Sequence, residues 1–290
     1  MSSIGHVVTL TVLRVEREHL ILDGGADGEI PLPRSDLGVW SGRVDEGAEL
    51  DVFVLTDTDA RAVATSALPH ATLGRCAALE VVALSSAGAF LDWGLSKNLL
   101  LPFAEQRRPL EIGQRECVQV YRDNTGRLAA SARLDHRLSE TPDGFEPWQR
   151  VELLVCQRTD LGFKAVVDDR AIGLLYRDEI FTTVHVGDRV TGYVKRPRAD
   201  RRLDLALQPP AREIGDELAE RIVTRLEADG GSSPLTDKAS PEAIRDAFGV
   251  SKKNYKRALG ALYKARRIRL EPERVVLNTP PLPSASDTGA

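Results

Sequence analysis

The sequence predicts a mainly β chain: three tandem five-stranded barrels of the OB type, followed by a winged helix-turn-helix. Three observations carry this. Short apolar segments of period two recur between turns, a unit of about 70 residues repeats three times, and after Pro209-Pro210 the apolar spacing turns helical.

The repeat is clearest where each unit ends. VLTDTDARAVATS (54–66), VYRDNTGRLAASA (120–132) and KRPRADRRLDLAL (195–207) align without gaps. Arg61, Arg127 and Arg202 share one position, with Asp57, Asp123 and Arg198 four residues earlier. Each unit opens on alternating apolar residues: Val8, Leu10 and Val12; Leu79 and Val81; Val151, Leu153 and Val155. A second strand follows in HLILD (19–23), GAFLDW (88–93) and LGFKAVV (161–167), and a third in EIPLP (29–33), NLLLP (98–102) and AIGLLY (171–176). Turns led by Gly47, Gly113 and Gly187 precede the closing hairpin. Five strands in about 65 residues bury little unless the sheet curls and closes, and an OB-type barrel does this while removing unpaired edges. SH3-like barrels and a single sandwich are the alternatives. The units are placed at 1–70, 71–140 and 146–210.

The remainder reads as a winged helix at 213–278. EIGDELAERIVTRLEA (213–228) sets Ile214, Leu218, Ile222, Val223 and Leu226 on one helical face, and Gly230-Gly231 ends it. Ser240 caps PEAIRDAF (241–248), which Gly249 stops. Ser251 caps KKNYKRALGALYKARR (252–267), with Tyr255, Leu259, Leu262 and Tyr263 on one face. The strands RIRLE (267–271) and RVVLN (274–278) follow, and the Pro/Ser-rich tail 279–290 is expected to be disordered.

Composition excludes several function classes. The chain of 290 residues is 42% hydrophobic and 28% charged, with no apolar run long enough to span a membrane and no signal-peptide pattern, so a cytoplasmic protein is expected. Cys76, Cys117 and Cys156 are 41 and 39 residues apart, which gives neither a disulfide framework nor a CxxC pair. The histidines are scattered, and neither a metal nor a cofactor is expected. There is no GxSxG, P-loop or GxGxxG, and Asp168-Asp169 reads as a turn, so no enzyme is expected.

Charge is polarised along the chain. Residues 1–70 hold 5 Lys/Arg against 12 Asp/Glu, residues 148–212 hold 12 against 9, and residues 250–269 hold 8 basic residues and no acidic one. In the third unit Phe163, Lys164, Tyr176, Tyr193 and Lys195 accompany a run of cations at Arg196, Arg198, Arg201 and Arg202. Stacking platforms beside cations are what a single-strand groove needs. Alternation separates Phe163 from Lys164, and Phe163 is placed in the core with Lys164 outward. Tyr176 fits either face. The second unit has Phe90, Trp93 and Lys97, with Trp93 read as core. On the last helix Lys252, Lys253, Lys256 and Arg257 crowd the N-terminal half and Lys264 the end. Four cations at a helix N-terminus oppose its dipole, so the pattern calls for an anionic partner such as a phosphate backbone. Asn254 is the only amide in this stretch, which suits affinity without sharp sequence reading.

TDLGFK (159–164), EIF (179–181), GDR (187–189), GYVK (192–195) and DLALQP (204–209) resemble the third repeat of the conserved virulence factor B family. GAFLDWGLSKNLLLPFAEQ (88–106) and SPEAIRDAFGVSKKNYKRALGALYKARRI (240–268) resemble its second repeat and its winged helix. The resemblance covers residues 1–278, with the first repeat and the tail weakest. It implies three S1-like OB modules and a winged helix in a bacterial, cytoplasmic RNA-binding protein of a family linked to expression of virulence genes. S1 modules typically contact RNA through aromatics around strands two and three and a basic residue of the last hairpin. Here that implies Phe90, Lys164 and Tyr176, with Arg127 and Arg202. Leu161 stands where many S1 modules have an aromatic, and Pro33, Pro102 and Tyr176 where many have a His. Only the third unit keeps a full site. The expectation is a non-enzymatic regulator, monomeric, binding single-stranded RNA through the third unit and the winged helix. The alternatives are a DNA-binding winged-helix regulator and an adaptor whose acidic first module docks on a ribosome or another protein.

Overall fold

The computed structural model describes residues 2–38, 44–57, 59–138, 144–198 and 202–278, with side chains for all of these except 211–214. Arg201, the tail 279–290 and the side chain of Ile214 lie outside the described residues.

Each repeat folds as five strands in one order. The first comprises β1 (Val7–Val15), β2 (His19–Asp23), β3 (Glu29–Pro33), β4 (Glu49–Thr56) and β5 (Ala62–Thr65), hydrogen-bonded as β3-β2-β1-β4-β5. The second comprises β6 (Cys76–Leu84), β7 (Gly88–Asp92), β8 (Leu99–Pro102), β9 (Arg115–Arg122) and β10 (Leu128–Ser131) in the same order. The third is β11 (Gln149–Arg158), β12 (Gly162–Val167), β13 (Ala171–Tyr176), β14 (Arg189–Pro197) and β15 (Leu203–Ala206). Alternation decides the cores: Leu20 and Leu22, Leu91 and Leu101, Val155 and Val167 point inward.

Closure differs among the units. In the third, β13 pairs in parallel with β15 and completes the ring. In the first two, β3 lies beside β5 and β8 beside β10 without such a ladder. Gly173 explains the difference, because a Cβ there would sit 2.6 Å from the Leu205 side chain and 2.9 Å from the Leu203 carbonyl oxygen. At the same distance from the end of β3 and β8 stand Ile30 and Leu99, whose buried side chains keep the closing strand away.

In all three units the first strand carries a bulge against the second, and the extra residues are Leu13, Val82 and Cys156. The units share contacts. The Phe53 and Trp93 rings meet edge to face at 5.7 Å, and Trp93 Nε1 donates to the Lys97 carbonyl at 2.6 Å, so Trp93 is a core residue. A short helix α1 (Leu134–Arg137), absent from the sequence reading, bridges the second and third units. Its Leu134 joins Cys76, Cys117, Leu154 and Val166 in one buried cluster. Asp168 and Asp169 form the expected turn, both with positive φ, and Asp169 Oδ1 accepts from the Cys76 N–H at 2.8 Å across the seam.

The C-terminal unit comprises α2 (Ala211–Ala228), β16 (Ser232–Ser233), α3 (Pro241–Phe248), α4 (Lys252–Lys264), β17 (Ile268–Leu270) and β18 (Val275–Leu277). Ser240 and Ser251 cap α3 and α4 as expected, accepting from the N–H groups of Ala243 and Asn254, and Gly249 stops α3 in the left-handed conformation. Leu218, Ile222, Ile244, Leu259 and Ile268 form the core around Tyr255. Two expectations are corrected. The last helix ends at Lys264 rather than 267, with Arg266 in the left-handed region, and Tyr263 is 56% exposed rather than on the buried face. Tyr263 lies roughly 90° around the helix from the centre of the arc formed by Tyr255, Ala258, Leu259 and Leu262. Ser232-Ser233 adds an unforeseen third strand to the wing. Among the described residues no helix is long and apolar enough to cross a membrane.

Candidate nucleic-acid interface

The closing hairpin shows what the repeated Asp/Arg pair does. Asp57 Oδ1 accepts from the N–H groups of Asp59 at 2.8 Å and Arg61 at 2.9 Å. Asp123 Oδ1 accepts from Thr125 at 2.8 Å and Arg127 at 2.9 Å. The carboxylate ties the turn to main chain, and in the first unit the Arg61 guanidinium also pairs with Asp57 at 3.4 Å and Asp59 at 2.5 Å. The Arg61 N–H holds the Asp57 carboxyl below the usual range. Burial alone would raise Asp123, but hydrogen bonds from Thr125 and Arg127 outweigh it and lower it.

In the third hairpin the described residues differ at this position. Arg198 occupies the place of the aspartates, and only the Arg198 N–H to Arg202 carbonyl bond, 2.8 Å, repeats the pattern. The Arg198 guanidinium instead donates to Tyr176 Oη at 3.2 Å, and Tyr176 Oη donates to Asp204 Oδ1 at 3.1 Å. Arg196 Nε donates to Asp204 Oδ2 at 2.8 Å, which raises the Arg196 pKa. Asp204 is 3% exposed, whereas the Arg196 side chain is 71% exposed. A buried carboxylate thus orients two guanidiniums and a phenol whose outer edges stay in water. Lys195 reaches Glu179, and Arg202 is exposed. A ring fixed beside forked cations is suited to stacking a base and holding phosphate oxygens.

The corresponding corner of the first unit has opposite chemistry. Pro33, Pro102 and Tyr176 are equivalent, since each immediately precedes a short 3-10 turn. A cleft of about 620 Å³ at the first corner is lined by His19, Asp27, Glu29, Pro33, Asp57 and Arg61.

The structure brings Tyr176, Arg196 and Arg198 together, and the β12–β13 register sets Lys164, opposite Leu174, on the same outer face as Tyr176. Phe163 packs toward the core and Lys164 points away, as read from the alternation. That outer face is not open, however. Its neighbour Val166 is buried in the seam, and Lys164 Nζ pairs with Asp135 of α1 at 3.3 Å. Tyr193 is half-buried on the side away from the core residue Val194. Phe90 is half-buried, facing away from Ala89 and Leu91; Arg127 is exposed at its hairpin; Leu161 is 63% exposed. Asp204, which organises the corner, was missed. Its signal was a lone carboxylate between buried leucines in LDLAL.

On α4 the cations divide. Lys252 Nζ donates to the Lys238 carbonyl at 3.3 Å, and Lys256 lies 3.7 Å from Asp237. Lys253, Arg257 and Lys264 are exposed, as is Lys256 despite its pairing, with exposed Tyr263 beside Lys264. The Gln208 amide, just beyond β15, donates to the Gly249 carbonyl ahead of α4, so the barrel braces this helix N-terminus. A cleft of about 800 Å³ between the two units is lined by Phe181, Gln208, Arg245, Phe248 and Val250, among others.

Comparisons with known proteins agree with this architecture. The S1 domain family matches residues 4–67 and 73–133, including the repeat whose resemblance was weakest, and the CvfB-like winged helix domain matches residues 220–277. Both are binding modules, and nucleic-acid binding is the function such modules share. "Uncharacterized protein YitL" of Bacillus subtilis is 30% identical over 237 residues, 79% of each chain. "Conserved virulence factor B" of Staphylococcus saprophyticus is 24% identical over 282 residues, 94% of each chain. A solved multidomain protein with nucleic acid binding domains from Streptococcus pneumoniae is 20% identical, at TM-score 0.41, covering 95% of this chain and 99% of that one. Barrels in one repeated strand order, a winged helix that the family-specific match covers, and relatives spanning nearly the whole chain agree: the chain belongs to the conserved virulence factor B family.

Proposed function

We propose that this chain binds single-stranded RNA through the Tyr176–Arg196–Arg198–Arg202 corner of the third barrel and the exposed cations of α4, and that it regulates gene expression by doing so. The carrying observation is the exchange at the third hairpin. Two repeats keep an aspartate that ties the turn, and the third replaces it with Arg198, aimed at an aromatic ring. The local fold loses a turn acceptor, and a surface for stacking and phosphate contact is gained. The acidic corner of the first unit repels phosphate, which assigns that unit to scaffold or protein contacts.

Photo-crosslinking of the full chain to a uridine-rich single strand, followed by peptide mapping, tests the placement. Crosslinked peptides should contain Tyr176, the 195–207 hairpin or α4. Crosslinks confined to the first unit would contradict it.

A further inference from the structure

The chain has only three cysteines, far apart in sequence, and the fold gathers all of them at the seam between the second and third units. Cys76 lies on β6, Cys117 on β9 and Cys156 on β11. Their surroundings differ. Cys76 is fully buried, and burial together with the Asp169 carboxylate pushes its thiol far up. Cys117 is buried, and its thiol donates to the Val155 carbonyl, 3.5 Å away on β11. Cys156 is the next residue on that strand, packs against the buried cluster that holds Cys117, and together with burial pushes the Cys117 thiol up.

Cys156 is also the bulged residue of β11, which turns its side chain out of the barrel's alternation. The equivalent bulges in the first two units carry Leu13 and Val82. Cys156 is half-buried and lines a narrow crevice with Arg107, Asp135, Gln157 and Lys164. The crevice admits about 10 Å³, close to the space of one water molecule. Arg107 and Lys164 stand in its wall, Lys164 paired with Asp135 at 3.3 Å, and of the three thiols Cys156 is the one partly exposed to a small oxidant. Lys164 thus lines this crevice while lying on the same outer face as Tyr176.

We propose that Cys156 and Cys117 form a peroxide-sensitive thiol pair that locks the second unit to the third. The Cys156 sulfur attacks one oxygen of a small peroxide. The O–O bond breaks, Cys156 becomes a sulfenic acid, and the other oxygen takes the Cys156 thiol proton and leaves as water, or as an alcohol from an alkyl peroxide. The Cys117 sulfur then attacks the Cys156 sulfur. The S–O bond breaks, the Cys117 thiol proton leaves with the hydroxyl as water, and a disulfide joins β9 to β11. Two electrons pass from the thiols to the peroxide. Cys76 takes no part.

The test uses the full chain treated with hydrogen peroxide, quenched with N-ethylmaleimide and mapped by peptide mass spectrometry. One intramolecular Cys117–Cys156 link is expected, with Cys76 still a free thiol. In Cys117→Ser, Cys156 should stop at the sulfenic acid and be labelled by dimedone, whereas Cys156→Ser should give no link. Wild-type mapping needs no variant to fold. A link that uses Cys76 or joins two copies would overturn the proposal. So would wild-type Cys156 remaining a free thiol under a peroxide dose that oxidises a short cysteine peptide.

Discussion

At residue scale the three hairpins are one device used in two ways. Asp57 and Asp123 accept two main-chain N–H groups each, while Arg198 accepts none and points at Tyr176. Arg198→Asn should therefore restore a turn acceptor. Such a bond adds about 0.5–1.5 kcal/mol to stability, and the same change should weaken RNA binding through loss of the guanidinium. Calorimetry paired with RNA titration checks both signs, and tighter binding by this variant would remove Arg198 from the interface. The Asp/Arg spacing was legible in the sequence, but its meaning was not. A recurring arginine reads as a ligand contact, whereas in the fold the main chain of Arg61 and Arg127 also closes the turn, and the Arg61 guanidinium pairs with Asp57 and Asp59. Asp204 was invisible for the opposite reason: its value comes from Tyr176, Arg196 and Arg198, which only the closed barrel brings to it.

At the scale of elements, local patterning specified most of the fold. Period-two alternation marked β2, β3 and β13 to the residue, and serine caps with glycine stops fixed α3. Closure was less legible, because Gly173 acts on a strand far along the chain. Gly162 and Gly88 open the second strands with φ of +149° and +148°. A Cβ on Gly162 would lie 1.9 Å from the Leu175 carbonyl oxygen, a main-chain atom that cannot step aside without breaking the β12–β13 ladder. Gly162→Ala should cost at least about 2 kcal/mol. That is a fall of about 8–16 °C in the melting of a unit this size, read by calorimetry. On α4, a basic run is uniform in sequence but not in the fold. Lys252 and Lys256 are drawn toward Lys238 and Asp237, leaving Lys253 and Arg257 to meet a ligand. Replacing Lys253 and Arg257 with Ala should flatten the log–log salt dependence of RNA binding by about 1.4 units, at roughly 0.7 per phosphate contact on a single strand. Replacing Lys252 and Lys256 should change it less. Equal slopes for the two double variants would dissolve this division.

For the whole molecule, the units are joined rather than strung. Phe53 meets Trp93 across the first junction, and Leu154 and Val166 are buried with Leu134 across the second. Cutting the chain between the second and third units would bare that apolar cluster, so the division of labour between acidic and basic ends is tested on the intact chain. Charge polarity along the sequence is the basis for expecting it, since residues 1–70 are strongly acidic and residues 250–269 carry no acid. The seam itself was not legible, because cysteines 41 and 39 residues apart give no sign that the fold unites them. The central claim is that the third barrel and α4 together hold a single strand of RNA, whose base faces are free to stack, whereas a duplex hides them. The most direct measurement is equilibrium competition, on the full chain in matched salt, between a single-stranded RNA and a DNA duplex of equal length. This account predicts that the RNA displaces the duplex and that Tyr176→Ala lowers RNA affinity by about 1–3 kcal/mol without changing the salt slope. Equal or tighter binding of the duplex, unaffected by Tyr176→Ala, would contradict it.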